Sequence, residues 1–130
     1  MRFGRHWAEV AERRRVRRER EDACPRLQDV VPRLERLHIE VNIRREGLPL
    51  LGTAHVRRYV VAQAPALFVL ACTDTTCVDG GHDVTDAVVA SLKKSLERFE
   101  VQHACNGQVG PVGCQRVLHL VVVAGYRPGA

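Results

Sequence analysis

Aromatic residues are scarce in this sequence, which has one Trp, two Tyr and three Phe among 130 residues. A hydrophobic core must therefore be built mainly from Val, Leu and Ala, and few side chains can stack on nucleic-acid bases. No apolar run approaches the roughly 18 residues that a membrane span needs. The basic N-terminus is followed by charged residues instead of the apolar stretch of a secretory signal. These absences predict a cytoplasmic protein without membrane contact.

The common catalytic and nucleotide-binding motifs are also missing. The sequence has no phosphate-binding GxxxxGKS or GxxxxGKT, no GxGxxG after a strand, no HExxH and no GxSxG. His38-Ile39-Glu40 matches the first half of a zinc-deaminase signature, but the P-C-x-x-C that would complete it is lacking. Whether the protein is an enzyme is left open, and the absences favour a binding or structural role over catalysis.

Positive charge is present in excess and is unevenly distributed. The formal net charge is +5, and residues 1–22 contain eight arginines against five acidic residues. Strong helix formers without Gly or Pro predict a helix over 5–22, which has little apolar surface beyond Trp7 and Val10. Cys24-Pro25 marks its end, because a residue before proline disfavours the α conformation. We therefore divide the chain into a basic helical arm at 1–24 and a single domain at 25–130.

Hydrophobic periodicity predicts an α+β fold for that domain. One or two helical turns are expected over 26–37, where Pro32 limits their length. Apolar and polar residues alternate from residue 38 onwards, which predicts strands at 39–43 and 54–62 around a glycine-bounded turn at 47–52. A third strand is expected at 66–72, so that the three would form an antiparallel meander.

The second half of the domain predicts one helix and two further strands. An amphipathic helix is expected at about 84–98, with one apolar face made of Val84, Val88, Leu92, Leu96 and Phe99. A strand at 99–105 and a last strand at 116–126 follow. The last strand is apolar on both faces, which is typical of a central position. The expected architecture is a mostly antiparallel five-stranded sheet with one packed helix, preceded by the Arg-rich helix.

Four cysteines are predicted to lie where strands meet loops. Cys72 closes the third predicted strand and begins a C-x4-C pair with Cys77, while Cys105 closes the fourth strand and Cys114 precedes the fifth, in a C-x8-C pair. Strand ends in one sheet can meet at one rim, and zinc prefers four thiolate or imidazole ligands in a tetrahedron. The sequence thus predicts one metal site with these four ligands, holding structural zinc.

Other roles for these residues remain open from the sequence. His82 and His103 are alternative ligands, and His103 is expected on the same strand face as Cys105. The thiols could also be inert core residues, ligands of an iron–sulfur cluster, or disulfide partners. Cys24 fits none of these patterns and is interpreted as a lone thiol.

The order of strand, Cys-loop-Cys, helix and a Cys pair before a late strand resembles the thioredoxin-like [2Fe–2S] ferredoxins over about 66–126. That resemblance implies an electron carrier in which the same four cysteines, Cys72, Cys77, Cys105 and Cys114, hold an iron–sulfur cluster. The family typically has a longer interval between its first two cysteines and a tighter one between its last two. The predicted strands at 39–62 have no counterpart in it.

The arginines suggest a polyanionic partner. Phosphate contacts by arginine are strong and independent of base sequence. RNA is the more natural expectation than DNA, and a protein partner docking on residues 5–22 is the alternative. The candidate contacts are the exposed basic residues of the arm and of the second predicted strand, namely Arg13, Arg14, Arg15, Arg17, Arg18, Arg57 and Arg58.

Overall fold

A computed structural model describes residues 2–45, 55–74 and 76–129, and the turn predicted at 47–52 lies outside these ranges. The predicted α+β class is confirmed. In chain order the elements are α1 (Arg2–Ala23), α2 (Leu27–Val30), β1 (Leu34–Arg45), β2 (His55–Tyr59), β3 (Val69–Leu70), β4 (His82–Asp83), α3 (Thr85–Lys93), β5 (Arg98–Ala104), β6 (Gln108–Val109), β7 (Val112–Gly113) and β8 (Arg116–Tyr126).

Four antiparallel strands form the main sheet in the order β2-β1-β8-β5. The last strand is central, as its apolar sequence predicted, and pairs along its length with β1 on one side and β5 on the other. Its register places Val122 opposite both Ile39 and Phe99. Consecutive side chains point to opposite faces, so one face of β8 is buried and the other is half-exposed.

The third predicted strand, at 66–72, is much shorter than expected and does not join the main sheet. Only Val69 and Leu70 form a strand, and they pair with β4 in a separate two-stranded ladder. The preceding backbone hydrogen-bonds to the start of α3 instead: Phe68 donates its N–H to the Thr85 hydroxyl and accepts the N–H of Val84. Because the N–H and the carbonyl of Phe68 already have hydrogen-bond partners, Phe68 does not pair with a neighbouring strand.

The inner face of the sheet and α3 enclose the hydrophobic core. The fully buried side chains from β1, β8 and α3 meet there with Leu27 and Phe68. Burial of these aliphatic side chains is the main stabilising contribution, as the scarcity of aromatic residues requires. They include Leu34, Leu37, Ile39, Val88, Leu92, Leu118, Leu120 and Val122.

Two predicted helix boundaries are wrong. The helix expected at 84–98 ends at Lys93, because Ser95 has a φ of 58° and turns the chain away. Leu96 is therefore 41% exposed, and Phe99 belongs to β5. The helical turns expected over 26–37 are limited to α2, and β1 begins at Leu34, which is buried opposite Tyr126.

Helix α1 lies where the sequence predicted it and is mostly exposed. An ion pair of 2.8 Å between Arg20 and Asp83 joins it to β4. Whether residues 1–24 are a separate arm stays a prediction. None of the helices in the described ranges is both long enough and apolar enough to cross a bilayer.

The two faces of β8 should differ in their contribution to stability. Leu120 is fully buried on the inner face, whereas the adjacent Val121 is half-exposed on the outer face. We expect Leu120→Ala to lower the free energy of unfolding by about 2–5 kcal/mol, as for other buried leucines, and Val121→Ala to lower it by much less. Urea denaturation of both variants checks this. A larger loss of stability in Val121→Ala than in Leu120→Ala would mean that the opposite face of β8 packs against the core.

Candidate metal centre

The first cysteine loop runs from β3 to β4 and carries Cys72 and Cys77. Asp74 stabilises a turn in the middle of this loop. Its carboxylate accepts the N–H and the hydroxyl of Thr76 at 2.9 and 2.7 Å, and the Asp74 backbone carbonyl accepts the N–H of Cys77. Aspartate commonly stabilises such turns in this way. The turn brings the second cysteine back towards the first, so that a C-x4-C spacing can serve one site.

The second cysteine loop runs from β5 to β8 and closes the long C-x8-C interval with a small hairpin. Strands β6 and β7 pair across Gly110, whose φ of 58° suits the first central position of a two-residue hairpin turn. At the base of the hairpin, Cys114 donates its N–H to the Gly107 carbonyl at 2.8 Å. Cys114 is thus held beside Cys105 although eight residues separate them.

Backbone hydrogen bonds join the two loops directly. Val78 and Gln108 each donate an N–H to the other's carbonyl, at 2.8 and 3.0 Å. This isolated bridge fixes the spacing between the loops independently of any side chain. The convergence of two strand-end loops, which the sequence predicted, is found.

The four sulfurs form one tight group. The Sγ atoms of Cys72 and Cys114 are 3.6 Å apart, those of Cys77 and Cys105 are 3.7 Å apart, and all four lie within 4.8 Å of one another. Each short contact joins a cysteine of one loop to a cysteine of the other. A tetrahedron with metal–sulfur bonds of about 2.3 Å has sulfurs about 3.8 Å apart. The four cysteines could therefore hold one metal ion.

Backbone N–H groups point at two of these sulfurs. Asp74 donates to Cys72, and both Gly81 and Gly107 donate to Cys105, each at 3.4 Å. Such bonds favour a thiolate over a thiol, and they orient the sulfur for a ligand role.

The pKa values of the thiols reflect these surroundings. Burial opposes ionisation of Cys105, but the two backbone N–H groups and the neighbouring thiols outweigh it and lower its pKa to about 7. Burial and the nearby thiols raise the pKa of Cys77 to about 12, and burial also raises the pKa of Cys72. Four anionic sulfurs at this spacing repel one another, so a cation among them offsets the charge.

Two glycines that the sequence analysis did not identify as part of the site pack against the sulfurs. A Cβ atom on Gly80 would lie 2.6 Å from the Cys105 sulfur, and one on Gly107 would lie 2.6 Å from the Gly80 Cα. Both would also meet the Cys77 sulfur at a prohibitive distance. Their signal in the sequence is position, because each follows a cysteine by two or three residues, in CVDG and CNG.

The two alternative ligands, His82 and His103, contact each other instead. Their Nδ1 atoms are 2.9 Å apart, so one ring donates and the other accepts. His82 is buried, and burial lowers the pKa of its ring, which favours the neutral form in this contact. Among the described residues, neither histidine belongs to the group of mutually close ligand atoms, which contains the four cysteines alone.

The predicted arginines do not form one surface. Arg15 pairs with Glu12 and Glu19, and Arg17 pairs with Glu21. Arg13, Arg14 and Arg18 are exposed and form no ion pair with any residue in the described ranges.

The two predicted arginines of β2 point to opposite faces of the sheet. Arg57 is opposite the inward-pointing Ile39, whereas Arg58 is opposite the outward-pointing His38. Arg57 and Arg17 line one open groove of about 730 Å³ between α1 and β2, together with His55. No acidic residue is among the described residues that line this groove.

No family model, no curated protein and no solved structure matches this chain. The resemblance to thioredoxin-like ferredoxins therefore gains no support from these comparisons. The function has to be argued from the chemistry of the sulfur group and from the distribution of charge.

Tight metal binding should require a residue without a side chain at position 107. We expect Gly107→Ala to weaken metal binding by about 10- to 100-fold, as loss of the surroundings of a ligand does elsewhere, because the added methyl group pushes the two loops apart. Gly113→Ala is the matched control, since its Cβ would meet no atom within 4 Å. Competition with a chromophoric chelator measures both affinities. Equal affinities would show that the loops do not need this close approach.

Proposed function

We propose that this protein is a structural-zinc domain that binds nucleic acid, RNA ahead of DNA, through arginines of α1 and the groove beside it. The observation that carries the zinc assignment is the single group of four sulfurs within 4.8 Å of one another. Four thiolates complete a tetrahedral zinc shell and leave no open position for substrate or water. A structural site is therefore favoured over a catalytic one.

The sulfur spacing favours one ion over an iron–sulfur cluster. A [2Fe–2S] or [4Fe–4S] cluster distributes its four thiolates over different irons, so the sulfurs would be spread more widely than the corners of one tetrahedron. The separations of 3.6 and 3.7 Å between loops suit ligands of the same ion. A single iron with four thiolates is the remaining competitor, and it differs from zinc in colour.

The charge distribution supports a phosphate-binding role. Arg14 and Arg18 lie one helical turn apart, with Arg13 nearby, and their guanidinium groups are free for an external anion within the described part of the chain. The groove beside α1 adds Arg57 of β2 to these cationic groups, while Arg17, which also lines it, is paired with Glu21. Arginine recognises phosphate through paired N–H donors, and it remains charged at all physiological pH values.

RNA is proposed ahead of DNA because the arginine contacts recognise the nucleic-acid backbone and not the base sequence. The candidate residues bind phosphate and not base edges, and the exposed aromatic residue Trp7 is a single stacking partner at best. Helical RNA is recognised largely by shape and by its backbone, which such a surface can serve.

Elemental analysis tests the zinc assignment. We expect a colourless protein with about one zinc ion per chain, and we expect Cys105→Ser to lose the ion and several kcal/mol of stability, because metal binding energy is folding energy at such sites. Cys24→Ser is the control, since Cys24 is a free thiol outside the sulfur group. A brown protein containing iron, or equal mild effects of both substitutions, would contradict the assignment.

Salt dependence tests the nucleic-acid assignment. We expect the affinity for double-stranded RNA to fall steeply between low and moderate salt. The double variant R14Q/R18Q should reduce the slope of log K against log salt by about 0.9 per arginine removed, as for a nucleic-acid duplex. Fluorescence anisotropy over a salt series measures this.

Arg57→Gln and Arg58→Gln provide a matched pair of neighbours on opposite faces. The first should weaken RNA binding, and the second should leave it nearly unchanged. An affinity that is flat with salt would contradict the nucleic-acid assignment. Capture of a protein through residues 5–22 that survives high salt would favour a protein partner in its place.

A further inference from the structure

The main sheet has a second face that no helix in the described ranges covers. Alternate residues of β1 and β8 enter the core, and the side chains between them point outwards and are exposed or half-exposed. We call this surface the outer sheet face. Two neighbouring rows run across all four strands in register. The first row is Arg58, His38, Val123 and Arg98, and the second is Val56, Glu40, Val121 and Glu100.

These two rows carry opposite charge around an apolar centre. The first row has an arginine at each end and the second has two glutamates, while Val121 and Val123 lie next to each other in the middle of the face. Glu100 also contacts His119 of its own chain at 3.0 Å, and its exposed side chain can still meet a cation of a second copy. All residues of the two rows except Glu100 line a shallow hollow of about 310 Å³. Val56 is 57% exposed at the β2 edge, where Glu40 of β1 separates it from Val121.

We infer that the outer sheet face binds a second copy of this chain. A two-fold axis lying between the two rows, parallel to the sheet and perpendicular to its strands, sets the first row of each copy against the second row of the other. Arg98 then faces Glu100 of the second copy, His38 faces its Glu40, and Val123 faces its Val121. Every contact occurs twice, as an isologous interface requires. Aligned face-to-face packing of two sheets is a common arrangement in proteins.

The same residues disfavour other occupants. Glu40 and Glu100 would repel phosphate groups, and within the described ranges the face has no Trp, Tyr or Phe on which a base could stack. Four strands about 4.8 Å apart, with the length set by the four outward-pointing residues of β5 (Arg98, Glu100, Gln102 and Ala104), give a face of roughly 500 Å². This is smaller than the about 800 Å² per partner of a standard interface, so the dimer should form in a concentration-dependent way. The inference is independent of the proposed metal and nucleic acid.

Charge reversal on the full-length, metal-loaded chain tests the inference. Sedimentation velocity over a wide concentration range should show a monomer–dimer equilibrium. Arg98→Glu alone and Glu100→Arg alone should each raise the dissociation constant by about tenfold or more, because each places like charges together twice across the axis. The double variant R98E/E100R exchanges the two charges and should return the dissociation constant to within about threefold of the original value.

Lys94→Glu is the control, since it reverses a charge beside α3, on the other side of the sheet. Thermal unfolding confirms that each variant is folded. A chain that stays monomeric at all concentrations would overturn the inference. So would a dimer that neither single reversal weakens, or a double variant that fails to recover. A monomer whose RNA affinity falls on Arg98→Glu would identify the face as a nucleic-acid surface and would also overturn it.

Discussion

The pair of backbone hydrogen bonds between Val78 and Gln108 holds together the two loops on which the sulfur group depends. The loops contribute little to the hydrophobic core, since of the four cysteines only Cys105 is buried and none belongs to the core cluster. Their order has to come from polar contacts: the Asp74 turn, the hairpin closed at Gly107, and this bridge. A bound cation would add the largest single attraction to that set, because it links both loops through their sulfurs. A bound cation would thus stabilise the same arrangement as the backbone pairing.

The parts of the fold that could be predicted are those whose burial follows a regular period. The alternation of apolar and polar residues correctly predicted β1 as a strand. The apolar residues on both faces of β8 correctly predicted its central position in the sheet. The predictions failed where tertiary contacts override local pattern. Residues 66–72 have the composition of a strand, but Phe68 is fixed by hydrogen bonds to the start of α3. Apolar residues continue at helical spacing as far as Phe99, but α3 ends at Lys93 because Ser95 adopts a left-handed conformation. Serine is not a residue type that predicts such a turn.

The sequence predicted which four cysteines lie together, but not how the two loops bring them together. Residue type and position at strand ends were sufficient to select the four cysteines. The eight-residue interval between Cys105 and Cys114 is longer than the usual spacing of zinc ligands. Its length does not reveal the hairpin that brings its two ends together. Gly80 and Gly107 were missed because a glycine's role as a spacer for sulfur depends on close approach between loops distant in sequence. The separation of Arg57 from Arg58, by contrast, follows from strand alternation alone.

The carboxylate of Asp83 contacts both α1 and the start of α3. Asp83 accepts the N–H of Thr85, the first residue of α3, with one oxygen, and it accepts the guanidinium of Arg20 with the other. Burial raises the pKa of this carboxyl, but the Thr85 and Arg20 contacts outweigh it and keep the carboxyl ionised. The ion pair is exposed, so dissolved salt screens it. An anion bound by Arg20 would compete with this ion pair, so occupancy of α1 by an anion and the contact between α1 and β4 oppose each other.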